Sequence, residues 1–278
     1  MNADILHAAR QIHRAEAILV GAGAGMGVDS GLPDFRGDEG FWRAYPPLER
    51  LGLSFVNIAN PAWLEADPRL AWGFYGHRLH LYRDTVPHEG FYILRRWIAK
   101  AGNGFVFTSN VDGQFQKAGY AEEDIVECHG SLHHLQCARC CSRDIWPAME
   151  IHVSVDPDTF QAADPLPGCP RCGGLARPNV LMFGDGDWHP ERTAVQEVAF
   201  RRWLATVRES RLVIVECGAG RAVPTVRNTC EAIARDSGAT LIRINPRELE
   251  GPSGTISIAE GALATLTEID RAMDEMDR

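Results

Sequence analysis

The sequence predicts an α/β fold: a parallel sheet with helices on both faces, carrying a helical insertion and a small cysteine-rich module. Three observations carry the prediction. Four short apolar runs alternate with helix-like stretches, the pattern that builds a parallel sheet. The first run ends in glycines, like a buried strand turning into a loop. Two stretches break the alternation, one aromatic and one built around paired cysteines. The 278 residues suit one large domain, or a large one with a small insertion, and 45% hydrophobic content is enough for a packed core.

In order along the chain, MNADILHAARQIHRAEAILV reads as an amphipathic helix running into a strand at Ala17 to Val20. It lacks the basic head, apolar core and small-residue cleavage site of a signal peptide. Phe41 to Tyr92 is rich in aromatics and has no clear strand, so it reads as a helical insertion. Gly90 to Ala101 is helix-like and Gly104 to Thr108 strand-like. Cys137 to Cys172 holds paired cysteines and prolines with few long apolar runs, so it needs a staple such as a metal. Val180 to Phe183 reads as a strand returning to the main domain. Arg211 to Glu216 and Thr240 to Asn245 are further strands, with a helix at Val223 to Ser237 between them. The expected division is a Rossmann-like domain from 1–40, 90–136 and 176–278, a helical insertion at 41–89, and a zinc-binding module at 137–175.

The net charge of -9 disfavours nonspecific binding to nucleic acid or to an anionic membrane. No apolar run approaches the roughly 20 residues that span a bilayer. A cytoplasmic protein is the expectation, and in a reducing compartment clustered cysteines lean towards metal. Cys137-Ala138-Arg139-Cys140 and Cys169-Pro170-Arg171-Cys172 are two C-x-x-C knuckles, which together complete a tetrahedral four-sulfur site for zinc, with iron as the alternative metal and disulfides as the alternative chemistry. Cys141 reads as a spare.

Gly21 to Gly27 follow the first strand, and glycines there admit positive φ and a close approach of backbone N–H groups to a phosphate; a flexible turn is the plainer reading. Arg36 lies downstream to pair with a phosphate, beside Asp34 and Phe35 on a proline-fixed loop. Asn110 and Asp112 follow the second strand, where open sheets bind ligands but where turn formers also sit. His129 suits general-base work, although a lone histidine is more often a bystander. Tyr75 and Arg78 are three apart, so on a helix they share a face: a clamp for one carboxylate, or an ordinary solvated face.

Taken together, these segments resemble the sirtuins. Gly23-Ala24-Gly25-Met26-Gly27-Val28-Asp29-Ser30-Gly31-Leu32-Pro33-Asp34-Phe35-Arg36 is similar, without a gap, to the family's G-A-G-I-S-x-x-S-G-I-P-D-F-R, departing at Gly27. T-S-N-V-D-G-Q-F-Q-K-A-G resembles T-Q-N-I-D-G-L-H-x-x-A-G, departing at Ser109 and Phe115. Arg177 to Asp185 resembles R-P-x-V-x-x-F-G-E. Gly218 to Pro224 is looser, one residue shorter than the family's loop, with Ala219-Gly220 for Thr-Ser and a new Arg221. The resemblance implies an NAD-dependent protein-lysine deacylase that releases nicotinamide and O-acyl-ADP-ribose, with a structural zinc. It implies that Gly23, Ala24, Gly25, Asp34, Phe35, Arg36, Ser109, Gly218, Arg221 and Asn245 meet NAD, and that Gly261-Ala262 fall near adenine. Asn110 would orient ribose or a water, Asp112 would hold the carboxamide of nicotinamide, and His129 would act as base. Val180, Phe183 and Gly184 would line an acyl-lysine peptide, whose backbone pairs with this segment. Tyr75 and Arg78 have the spacing of sirtuins that remove succinyl or malonyl groups. ADP-ribosyl transfer, NAD hydrolysis and sensing of NAD without turnover are the alternatives, the first two kept open by Ser109, Phe115 and the shortened loop.

Overall fold

The computed structural model describes residues 2–34 and 37–278. Helix α1 (Ala3–His13) starts where the Asn2 side chain accepts the N–H of Asp4 at 3.0 Å, and it buries Ile5, Ala8, Ala9 and Ile12 as one stripe. It leads into strand β1 (Ala17–Ala22), buried along its whole length, and then a 3-10 turn at Ala24–Ser30. The aromatic stretch forms helices α2 (Gly37–Ala44), α3 (Pro46–Arg50), α4 (Phe55–Ile58), α5 (Trp63–Ala66) and α6 (Pro68–Asp84). Asp67 caps α6 by accepting the N–H of Leu70 at 3.0 Å, and Pro68 fits the first helical position, where no N–H is needed.

Helix α7 (Glu89–Ala101), strand β2 (Gly104–Thr108), helix α8 (Gln114–Lys117) and strands β3 (Ile125–Glu127), β4 (Gly130–Cys137), β5 (Ile145–Pro147) and β6 (Ala176–Val180) follow. Helix α9 (Glu191–Thr206), strand β7 (Leu212–Cys217), helix α10 (Thr225–Ser237), strands β8 (Thr240–Ile244) and β9 (Ile256–Ile258), and helix α11 (Ala262–Met276) complete the chain.

Six strands make a parallel sheet in the order β3-β2-β1-β7-β8-β9. Helices α1, α7 and α11 cover one face, and α9 and α10 cover the other. The strand order reverses between β1 and β7, whose last residues Ala22 and Cys217 are register partners. Open sheets leave a crevice at such a switch point.

A second, antiparallel sheet has the order β5-β4-β6. Here the structure differs from expectation: the strand around Val180 ends at that residue and pairs with β4, not with the main sheet. Asp185 accepts the N–H of Met182 at 3.1 Å and pairs with Arg177 in a buried ion pair, which turns the chain and ends the ladder. The insertion and the small sheet share one core, in which Trp72 donates to the carbonyl of Ala176 at 3.0 Å.

Candidate active site

A cavity of about 510 Å³ lies between the switch point and this shared core. Gly23 and Ala24, at the end of β1, form part of its wall with Gly218 and Gly220, at the end of β7. The two loops interlock: Gly23 N–H donates to the Cys217 carbonyl at 3.0 Å and Gly25 N–H to the Gly218 carbonyl at 3.1 Å. Gly218 has φ +63, and a Cβ there would lie 2.4 Å from Cα of Gly25, so no side chain fits.

The end of β2 is tied to the same loop. Ser109 N–H donates to the Ala22 carbonyl at 3.1 Å, and Asn110 Nδ2 donates to the Gly23 carbonyl at 3.0 Å. Asp112 accepts the N–H of Gln114 at 3.0 Å. Burial pushes the Asp112 carboxyl up to about 6, against the lowering effect of that hydrogen bond. His129, just after β3, has Nε2 at 3.3 Å from Oγ1 of Thr225. Burial holds its pKa below the ordinary histidine value, and a hydrogen bond with the Ser109 backbone opposes the shift. Ser109, Asn110, Asp112 and His129 thus all face one cavity.

The far wall comes from α6. Tyr75 and Arg78 both line the cavity and both are buried, so they are not a solvated helix face. Burial pushes the Tyr75 phenol up to about 12, and its hydroxyl has no hydrogen-bond partner among the described residues. Val180 and Phe183 line the cavity too, while Gly184 turns the chain away behind them with φ +69. The N–H groups of Leu181, Met182 and Phe183 are taken by the His129 carbonyl, Asp185 and the Ala59 carbonyl.

Other expected residues stand elsewhere. Arg221 points outward, 3.7 Å from the Glu250 carboxylate, because its loop is held by Glu248 accepting the Arg221 N–H at 3.0 Å. Asn245 lies behind the wall, donating to the Ala219 carbonyl at 2.9 Å and accepting the N–H groups of Arg247 and Glu248. Gly25 acts through its contact with Gly218. Phe115 packs in the core against Phe91 and Tyr120. Phe35 and Arg36 lie outside the described residues.

The thiol group needs a correction. The sulfurs of Cys137, Cys141, Cys169 and Cys172 lie within 4.8 Å of one another, and Cys140 is not among them. Cys140 has φ +50, is exposed, and has its sulfur 3.7 Å from the Asp187 carbonyl. Its left-handed backbone turns the chain so that the next residue, Cys141, faces the cluster. Cys137 and Cys172 sulfurs are 3.8 Å apart, and those of Cys141 and Cys169 3.6 Å. Zinc–sulfur bonds of about 2.3 Å give a tetrahedron with an edge of about 3.8 Å, so the four thiols fit one zinc ion.

The model of the Sir2 family matches residues 23–213. The chain belongs to the Sir2 family. Curated relatives of this Sir2 protein include the NAD-dependent protein deacylase of Thermus thermophilus, 31% identical over 265 residues that cover 92% of this chain and 90% of the relative. That of Aeropyrum pernix is 30% identical over 242 residues, covering 87% and 86%. A crystal structure of a Sir2 homologue in complex with NAD shares the fold with a TM-score of 0.71 at 23% identity, over 97% of this chain and 94% of that one.

Sequence reading missed Tyr82 and Thr225. Tyr82 lines the cavity one helical turn beyond Arg78, and its i+4 spacing was the available signal. Thr225 reaches His129 across 96 residues of sequence, and no local pattern marks it.

Proposed function

We propose that this Sir2 protein is an NAD-dependent protein-lysine deacylase, with NAD as co-substrate and an acyl-lysine protein as partner. The observation that carries the proposal is the convergence of Asn110, Asp112 and His129, from separate segments, on the cavity at the sheet's switch point. The donor set fits NAD: side-chain-free backbone at Gly23 and Gly218, an amide, a buried carboxyl and a histidine at one crevice. Bound there, NAD supplies a ribose carbon that takes up the acyl oxygen as nicotinamide leaves.

In this reading Asp112 and Asn110 orient the nicotinamide end and the ribose. Asn110 is itself fixed by its bond to the Gly23 carbonyl. His129 accepts a proton from a ribose hydroxyl, and its lowered pKa keeps it neutral and ready at pH 7. Val180 and Phe183 wall the acyl-lysine. Tyr75 and Arg78 close the acyl end, and a buried phenol and guanidinium favour a carboxylate-bearing acyl group over acetyl. The four-thiol cluster holds a structural zinc, and the reading places the protein in a reducing compartment, the cytoplasm.

Mass spectrometry of the products made from NAD and an acyl-lysine peptide tests the reading. O-acyl-ADP-ribose, nicotinamide and free lysine peptide are expected in equal amounts. Free ADP-ribose alone, ADP-ribose attached to protein, or unchanged NAD would each overturn it. His129→Ala should cut product formation roughly 10²–10⁴-fold while calorimetry still detects NAD binding.

A further inference from the structure

Arg78 places a planar guanidinium, carried on a rotamer-rich side chain, in a buried wall. Something must fix its plane if it is to recognise a ligand. Tyr82, on the same helix, accepts two hydrogen bonds from it, from Nε at 3.0 Å and from Nη2 at 2.7 Å. The guanidinium also lies over the rings of Phe74, Tyr82 and Phe55, at 5.0, 5.3 and 5.8 Å from their centroids. Tyr82 is itself held: it is 4% exposed, and its backbone carbonyl accepts Nε2 of Gln114 at 3.1 Å, the residue whose N–H is bound by Asp112.

We infer that Tyr82 is a positioning residue for acyl specificity, acting through Arg78. The inference rests on the reading of Arg78 as the acceptor of acidic acyl groups. The phenol oxygen engages the Nε–H and one Nη2–H edge, which sets the guanidinium plane. A plane set in advance loses less entropy when a carboxylate binds. Without the phenol oxygen, the guanidinium samples other orientations against the aromatic rings, and a carboxylate substrate must order it on binding. The effect therefore falls on the ratio of carboxylate-bearing to plain acyl substrates, and it vanishes when Arg78 is gone.

The experiment measures kcat/KM for succinyl-lysine and acetyl-lysine peptides in the parent, Tyr82→Phe, Arg78→Met and the double variant, and follows the Arg78 Nε–H resonance by NMR. Tyr82→Phe should lower the succinyl-to-acetyl ratio at least fivefold, mainly through KM, and should shift or broaden the Nε–H resonance. In the Arg78→Met background the second substitution should change the ratio less than twofold. That background has no guanidinium to strand, so it stays interpretable if Tyr82→Phe alone folds poorly. An Nε–H resonance unmoved by Tyr82→Phe overturns the inference, as does a parent succinyl preference that survives Tyr82→Phe or a full further loss in the double variant. A parent without succinyl preference sinks the acidic-acyl reading and, with it, the specificity role of Tyr82. The NMR arm separates the cases, because a moved resonance shows that Tyr82 still orients Arg78 when the acyl reading alone has failed.

Discussion

Asp112 combines burial with a carboxyl raised to about 6, and that combination costs stability at neutral pH. Its folded-state pKa lies above the unfolded value of 3.8, so the folded protein binds the proton more tightly. The penalty is full above about pH 6, shrinks as pH falls, and is gone below the unfolded pKa. Asp112→Asn should therefore raise the melting temperature at pH 7.5 and lose most of that gain by pH 4, with a stability change of at most about 3 kcal/mol. A melting temperature lower than the parent's at pH 7.5 would show the carboxylate to be compensated. A stabilised variant that makes no product would mark this residue as one kept for function against the interest of the fold. Asn110, Asp112 and His129 were legible in the sequence because their segments resemble the sirtuin motifs, whereas spacing alone left them as turn formers and a lone histidine. Tyr82 offered only its i+4 spacing from Arg78, and Thr225 no local signal, because each role depends on which side chain it meets.

Among the elements, the cysteine module shows where sequence spacing runs out. Cys140 and Cys141 are adjacent and chemically identical, and the familiar two-residue gap favours Cys140. The backbone decides otherwise, since a left-handed residue at Cys140 brings Cys141 to the cluster. Cys141→Ala should lose the metal and destabilise the protein on the order of several kcal/mol, while Cys140→Ala should keep a full complement of zinc. Metal analysis of the two purified variants reads the difference directly. Strands β1, β2, β7 and β8 and helices α1, α7 and α10 were legible from apolar runs and helix-like stretches, while α9 and α11 were not singled out. The end of β6 was not, because the buried Arg177 and Asp185 pair that turns the chain there joins residues eight apart with no local signature. The two short strands β3 and β9 have three residues each, too few to show a pattern.

At the scale of the whole molecule, the cavity is the seam between the sheet and the core shared by insertion and module. A ligand that fills it ties the two together. NAD at a hundred times its dissociation constant should stabilise the fold by about 2.7 kcal/mol, which a thermal melt reads as a rise of several degrees. No rise at saturating NAD would place cofactor binding elsewhere. The seam is crossed by β4, which begins one residue after His129 and ends at Cys137. That single strand makes the distance between the base and the first sulfur a fixed length of chain. The ladder with β6 shifts register between Ser131 and Leu135 and then runs unbroken to Cys137, so one residue added or deleted in that last stretch would exchange its faces and turn the Cys137 thiol away from the cluster. The turn at Met149 and Glu150 has no such constraint: both residues are exposed, Met149 at 84%, and neither lies in a strand of the two sheets. Descendants of this protein are free to lengthen there, and a reporter peptide is best inserted there, whereas Leu135 to Cys137 of β4 behave as a ruler whose markings no insertion can move.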